Sequence, residues 1–150
     1  MIRRARMGDV PAIQALLRPY ADQGVLLPRS LAELYECIRD FILWEEEGEA
    51  VGVAALHATW EGLGEIRCLA VRQDKTGRGI GRRLVQQCLE DARALGLQRV
   101  FVLTYVPGFF LRLGFKPVDK GQLPHKVWAE CVRCVKFPVC DEEALWYEVA

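Results

Sequence analysis

Two hydrophobic periods run along this chain, and the switches between them mark out its elements. Ile80, Leu84, Cys88, Ala92 and Leu95 follow one another at about one helical turn and stop at Gly96, which predicts an amphipathic helix over 80–95. A helix is also expected after Asp9, its cap, with Ile13, Leu16, Leu17 and Tyr20 on one face and its end near Gly24; Met1 to Arg4 read as the lead into it. Ser30 with Glu33 is a capping-box pattern that opens a further helix carrying Leu31, Leu34 and Ile38. Short apolar runs bounded by turn residues read as strands over 41–44, 50–57, 65–71 and 100–104, with a further start at Phe115 and a last strand over 145–149. Gly48 supplies the turn in the acidic stretch 45–49, and a short helix is expected over 109–113. Strand 65–71, helix 80–95 and strand 100–104 follow one another as a βαβ-like unit, so the pattern predicts an α/β (α+β) domain, a mixed sheet with helices on its faces.

Composition narrows the class without changing that picture. The 150 residues suit one domain spanning 1–150, large enough to bury about two-thirds of its unfolded surface, and contain no internal repeat or low-complexity linker. Twenty basic and twenty acidic residues cancel, so neither nucleic acid nor an anionic membrane is expected as a partner. No apolar run reaches the length of a membrane span, and the first residues lack the apolar core of a secretion signal; a cytoplasmic location is the expectation. In that compartment the six cysteines read as reduced thiols or metal ligands rather than as a disulfide framework.

The segment with the most chemistry is Thr76-Gly77-Arg78-Gly79-Ile80-Gly81-Arg82-Arg83, which joins strand 65–71 to helix 80–95. Glycines without Cβ let backbone N–H groups approach an anion closely, and the following helix adds the positive end of its dipole, so the layout suits a phosphate cradle. Arg72, Lys75, Arg78, Arg82 and Arg83 crowd around it. The alternative is a glycine-rich turn with a solvated basic face. The segment is neither a P-loop, since no Gly-Lys-Ser/Thr closes it, nor a G-x-G-x-x-G dinucleotide fingerprint.

This strand, loop and helix resemble the acyl-CoA-binding segment of the GNAT N-acetyltransferases, in which a Q/R-x-x-G-x-G/A loop holds the pyrophosphate of acetyl-CoA. Thr76 stands where that family usually has Gln or Arg. Phe109-Phe110-Leu111-Arg112-Leu113-Gly114-Phe115 resembles the family's F-Y-x-x-x-G-F segment. Within the family, the chain is most similar to the short N-acetylglutamate synthase group, through Gly24 to Ser30, Gly64 to Val71, Phe101 to Thr104 and Phe115 to Val118 followed by Leu123-Pro124. The resemblance implies a GNAT fold with a mixed, mostly antiparallel central sheet and helices on both faces. It implies acetyl-CoA as co-substrate and acetyl transfer to the α-amino group of an amino acid, L-glutamate first, in a ternary complex. That reaction opens arginine biosynthesis. A homodimer is implied as well; no residue pattern here bears on it.

The resemblance also assigns residues. Cofactor contacts fall on Cys68, Leu69, Ala70 and Val71, on Thr76, Gly77, Arg78, Gly79, Ile80, Gly81 and Arg82, and on Phe109 and Phe110. Backbone N–H groups near 69–71 would stabilise the thioester oxygen, a type of contact worth ~10²–10³ in rate. Leu27 and Arg29 stand in the loop that contacts the acceptor, and an arginine there suits a carboxylate because its planar fork donates two parallel bonds. Arg67 and Lys126 are further carboxylate candidates; for Arg29 the alternative is a solvated charge ahead of a helix cap. Glu65 matches the catalytic glutamate, as a base acting directly or through water, against the alternative of a surface carboxylate. Phe110 occupies the position where many relatives carry a tyrosine acid, and it has no proton to donate. Thr104 is the preferred hydroxyl donor and Tyr105 the alternative, although a thiol with a pKa of ~8.5 leaves readily as thiolate without one.

No metal is expected for the reaction. His125, Cys131, Cys134 and Cys140 nevertheless spell H-x5-C-x2-C-x5-C, which leaves a structural zinc site as an alternative to reduced, buried cysteines. Three functional classes stay open: the glutamate acetyltransferase; an acetyltransferase for another amino acid, a polyamine, an antibiotic or a protein N-terminus; and a non-catalytic acyl-CoA sensor. A polyamine pocket needs acidic lining, which the cationic candidates oppose.

Overall fold

The computed structural model describes residues 1–124 and 142–150. Its described strands form one sheet: β1 (Ile2–Arg4), β2 (Phe41–Glu46), β3 (Glu49–Trp60), β4 (Leu63–Val71), β5 (Arg99–Thr104), β6 (Lys116–Pro117) and β7 (Glu143–Glu148). The described α-helices are α1 (Val10–Asp22), α2 (Leu31–Glu36), α3 (Ile80–Leu95) and α4 (Pro107–Arg112). Spatial order in the sheet is β1-β2-β3-β4-β5-β7-β6. Neighbours run antiparallel except β4 and β5, which α3 joins as a crossover and which are therefore parallel. The mixed, mostly antiparallel sheet expected from the sequence is present.

Alternation along the central strands feeds two cores. Ile42, Ala54, Leu56 and Ile66 share one with Ile80, Leu84, Val85, Cys88, Leu89 and Ala92 of α3. Phe41, Leu43, Val53 and Ala55 share the other with Val10, Ile13, Leu16 and Leu17 of α1 and Leu34 of α2. Helices thus cover both faces. Gly52 lets α3 come close, since a Cβ there would meet Ile80 Cγ2 at 3.0 Å and Leu84 Cδ1 at 3.1 Å. At the other end of α3, Gly96 (φ 82°) closes the helix: its N–H donates to the Arg93 carbonyl and that of Leu97 to the Ala92 carbonyl, a Schellman closure.

Four expectations need correction. Residues 2–4 form the edge strand β1 rather than a helix lead, because Ile2 and its neighbours pair with Ile42, Leu43 and Trp44. Leu95 is 66% exposed; the apolar stripe of α3 ends at Ala92, and Leu97, past the glycine, is buried instead. Asp9 occupies the cap position of α1 without a side-chain capping bond, because its carboxylate accepts from Arg3 Nη1 and Nη2, both at 2.8 Å, and from the Arg6 N–H at 2.7 Å. The Ser30 cap is present: its Oγ accepts from the Glu33 N–H at 3.1 Å. The short helix begins at Pro107, earlier than the expected 109, with proline in its first turn. No helix among the described residues is long and apolar enough to cross a membrane.

Candidate active site

The site begins where two parallel strands part. Ladder pairs between β4 and β5 are Leu63 with Arg99, Gly64 with Val100 and Glu65 with Phe101; past these, β4 continues to Val71 and β5 to Thr104. On its other edge β4 stays bound to β3, but with an irregularity: Val53 pairs with Ala70 and Ala55 with Arg67, so β4 carries one extra residue. Cys68 within that bulge has φ 55°, rare for a residue with a side chain. Where the bulge falls and the strands splay, residues 66–71 line a continuous cleft of about 1150 Å³.

One end of the cleft is the glycine loop. Gly77 and Gly79 have φ of 81° and 80°, the left-handed region that any other residue enters at a cost. Arg83 donates the first helical bond to the Gly79 carbonyl, so the N–H groups of Ile80, Gly81 and Arg82 have no acceptor in the preceding helical turn. Gly77, Gly79, Ile80, Gly81 and Arg82 line the cleft with Lys75 and Thr76. The side chains around the loop divide. The Thr76 hydroxyl donates to the Gln73 carbonyl at 3.1 Å. Arg78 turns outward, forking onto Glu46 at 3.0 and 2.9 Å and holding that carboxyl below its ordinary pKa range; it is not among the cleft-lining residues. Arg72 pairs with Asp74 and Glu49, and the Arg83 guanidinium lies 5.6 Å from the centre of the Trp44 ring.

The middle of the cleft is bounded by Cys68, Leu69, Ala70 and Val71 of β4 and, opposite, by Val102, Leu103 and Thr104 of β5 with Phe109 and Phe110 of α4. Phe110 is buried, stacked edge-on to Phe109 at 5.1 Å and to Phe115 at 5.3 Å. Thr104 is also buried; its Oγ1 accepts from the Val106 N–H at 2.9 Å, which leaves the hydroxyl proton to be donated elsewhere. Tyr105 is not among the lining residues, so only Thr104 of the two hydroxyl candidates faces this space.

At the far end, Leu26, Leu27 and Arg29 from the loop before α2 meet Glu65 and Arg67 of β4. Glu65 is buried at 8% exposure, and its Oε1 accepts from Arg67 Nε at 2.6 Å. Arg29 reaches Glu33 at 3.2 Å, a partly exposed pair one turn apart, and its positive charge bears on the Cys68 thiol. Burial pushes that thiol up to about 11 although Arg29 and Arg67 pull the other way, so Cys68 is a neutral thiol near neutral pH. Arg29 and Arg67, 38 residues apart in sequence, therefore meet at the bulge. Lys126 and the His125, Cys131, Cys134 and Cys140 constellation lie outside the described residues.

Some cleft residues carried no warning in the sequence. The Tyr20 hydroxyl donates to the Val71 carbonyl and ties α1 to the end of β4, while burial raises the phenol pKa; in the sequence Tyr20 reads as one more apolar helix position. His57 is the cross-strand partner of Glu65, and Glu142 is a buried carboxylate just before β7. Only strand register brings those two to the cleft.

Similarity to known proteins agrees with this geometry. A model of the acetyltransferase (GNAT) family matches residues 11–115. An amino-acid acetyltransferase of Mycobacterium tuberculosis is 42% identical over 94% of this chain and 82% of its own length. An uncharacterized N-acetyltransferase of Chlorobaculum tepidum is 39% identical over 96% of this chain and 93% of its own. Among solved structures, N-acetylglutamate synthase from Neisseria gonorrhoeae, complexed with coenzyme A and N-acetyl-glutamate, superposes on the whole chain with a TM-score of 0.92 at 33% identity; this chain spans 35% of that protein. The parted strands, the bulge and the glycine loop are thus accompanied by clear sequence kinship, and the chain belongs to the GNAT family of acetyltransferases.

Proposed function

We propose that this chain transfers the acetyl group of acetyl-CoA directly to the α-amino group of an amino acid, with L-glutamate the favoured acceptor. The observation that carries the reading is one continuous cleft, lined by the glycine loop at one end and by Arg29 at the other. Main-chain N–H groups at 77–82 hold the diphosphate, joined by Lys75 and Arg82. The pantetheine arm runs between β4 and β5, against Phe109 and Phe110, and carries the thioester to the bulge. Arg29 takes an acceptor carboxylate, with Leu27 beside it. Arg67 is bound to Glu65 and orients it, so its share in holding the acceptor is secondary.

The amine nitrogen attacks the thioester carbonyl carbon, and N–H groups of 69–71 receive the developing oxyanion. Glu65 takes the ammonium proton, directly or through a water. The C–S bond breaks, and Thr104 donates a hydrogen bond to the departing sulfur, which leaves as thiolate and is then protonated. A neutral Cys68 is a poor nucleophile, which supports direct attack over an acetyl-cysteine intermediate. The relatives named amino-acid acetyltransferase support an amino-acid acceptor. This reading gives the protein the first step of arginine biosynthesis, in the cytoplasm, as a homodimer.

The test incubates the protein with acetyl-CoA and a panel of free amino acids and identifies products by mass, since the cysteines confound thiol reagents. N-acetylglutamate should dominate, with intersecting initial-rate lines. Another dominant product moves the acceptor assignment, parallel lines replace direct attack with an acyl-enzyme, and saturable acetyl-CoA binding without turnover leaves only a sensor.

A further inference from the structure

We propose that Cys37, Asp40 and His57 form a site for one divalent transition-metal ion of the zinc class at the acceptor end of the cleft. The Cys37 sulfur, an Asp40 carboxylate oxygen and a His57 ring nitrogen all lie within 4.8 Å of one another. None of the three takes part in the acetyl transfer set out above.

Local structure explains the convergence. Cys37 ends α2, and the 3₁₀ turn Ile38–Asp40 follows at once, so the Cys-x-x-Asp spacing turns sulfur and carboxylate to the same side. A tight turn with two residues between ligands is the arrangement that Cys-x-x-Cys zinc sites use. His57 arrives from β3, and its Nδ1 lies 2.7 Å from Asp40 Oδ2. All three side chains are half-buried, shielded enough to limit hydration yet open to an entering ion.

The donor set suits zinc: thiolate, imidazole and carboxylate match its borderline softness, and two anionic ligands neutralise a dication. Bonds of about 2.0–2.3 Å in a tetrahedron separate ligand atoms by roughly 3.3–3.8 Å, so binding replaces the Asp40–His57 hydrogen bond and widens that contact by under an ångström. Cys37 loses its proton to solvent on binding. Arg67 bears on Cys37 and Arg29 lines the same small hollow, but each is paired, with Glu65 and Glu33 respectively, while Glu36 adds negative potential. Cys37 and His57 both line the large cleft, so the fourth coordination position faces the space assigned to the acceptor. His57 stands opposite Glu65 in the β3–β4 ladder, and an ion there would disturb the Glu65–Arg67 pair; bound metal should therefore inhibit.

Cobalt(II) is the probe, because a cobalt–thiolate bond gives a near-ultraviolet charge-transfer band. The full chain with Cys131, Cys134 and Cys140 replaced by serine, free of CoA and acceptor, should bind one equivalent with that band, and zinc should bleach it. Cys37→Ser should abolish the band, and Asp40→Asn and His57→Ala should each weaken binding at least about tenfold. Absence of a thiolate band, or affinity indifferent to both His57→Ala and Asp40→Asn, overturns the proposal. If the triple serine protein does not fold, the difference between wild type and Cys37→Ser decides the same question. The readout is independent of turnover, so it stands or falls apart from the acetyl-transfer reading.

Discussion

Arg29 and Glu65 lie in one cleft, and their neighbours suit them to different tasks in the proposed reaction. The Arg29–Glu33 pair is partly exposed and weakly held, so the guanidinium can exchange it for a substrate carboxylate. Arg29→Ala should lower kcat/KM for glutamate by about 10–100-fold, the value of a charge-assisted hydrogen bond, with little change in acetyl-CoA binding. Unchanged steady-state kinetics would remove Arg29 from the pocket. Glu65→Gln should reduce kcat by ~10²–10⁴ and flatten the acidic limb of the pH–rate profile; an unaltered limb rejects it as base. Asp9 belongs to stability instead. The Arg3 guanidinium and the Arg6 N–H hold its carboxyl down at about 2, below an ordinary 3.8. That stabilisation is complete above about pH 4 and disappears as pH falls toward 2, amounting to about 2 kcal/mol by linkage. Urea unfolding of Asp9→Asn should show a loss of that order at pH 7 that shrinks steadily below pH 4. Arg29 and Glu65 stood out as candidates in the sequence because their surrounding motifs are local. The roles of Tyr20, His57 and Asp9 were not, since each depends on a partner contributed by another element.

Among the elements, the passage from β4 through the glycine loop into α3 was the most legible, because each part carries its own signal: an apolar run, glycines and a stripe with helical period. The helix was expected over 80–95 and is found at Ile80–Leu95. The loop glycines are not equivalent. At Gly79 a Cβ has open space around it but a φ of 80°, so Gly79→Ala is opposed by backbone strain and not by crowding. Strain of about 1–2 kcal/mol should appear as an acetyl-CoA affinity reduced about 5–30-fold by calorimetry, with the fold intact by circular dichroism. Gly81 has an ordinary φ, and a Cβ there would make van der Waals contact with Phe109 at 3.5 Å, so Gly81→Ala should cost less. Equal losses at both positions would contradict the backbone account. Edge strand β1 was missed because three residues are too few for a period; its pairing to β2 comes from the sheet.

For the whole molecule, the cleft joins α1, α2, β4, β5 and α4, so a ligand filling it is linked to folding of the domain as a unit. CoA at 100 times its dissociation constant should stabilise the protein by about 2.7 kcal/mol, seen as a higher urea midpoint with unchanged slope. A midpoint insensitive to CoA would refute the cofactor assignment. What the sequence determined by itself is whatever short-range pattern encodes: most of the helix and strand order, the glycine loop, the family and the candidate side chains near its motifs. Tertiary structure alone decided how far β4 and β5 stay paired, where the extra residue of β4 falls, that Arg78 faces Glu46 while Arg29 faces Cys68, and that Cys37, Asp40 and His57 meet. Those outcomes depend on contacts between residues far apart in the chain; hydrophobic periodicity says which face of a strand is buried but not which distant partner meets it.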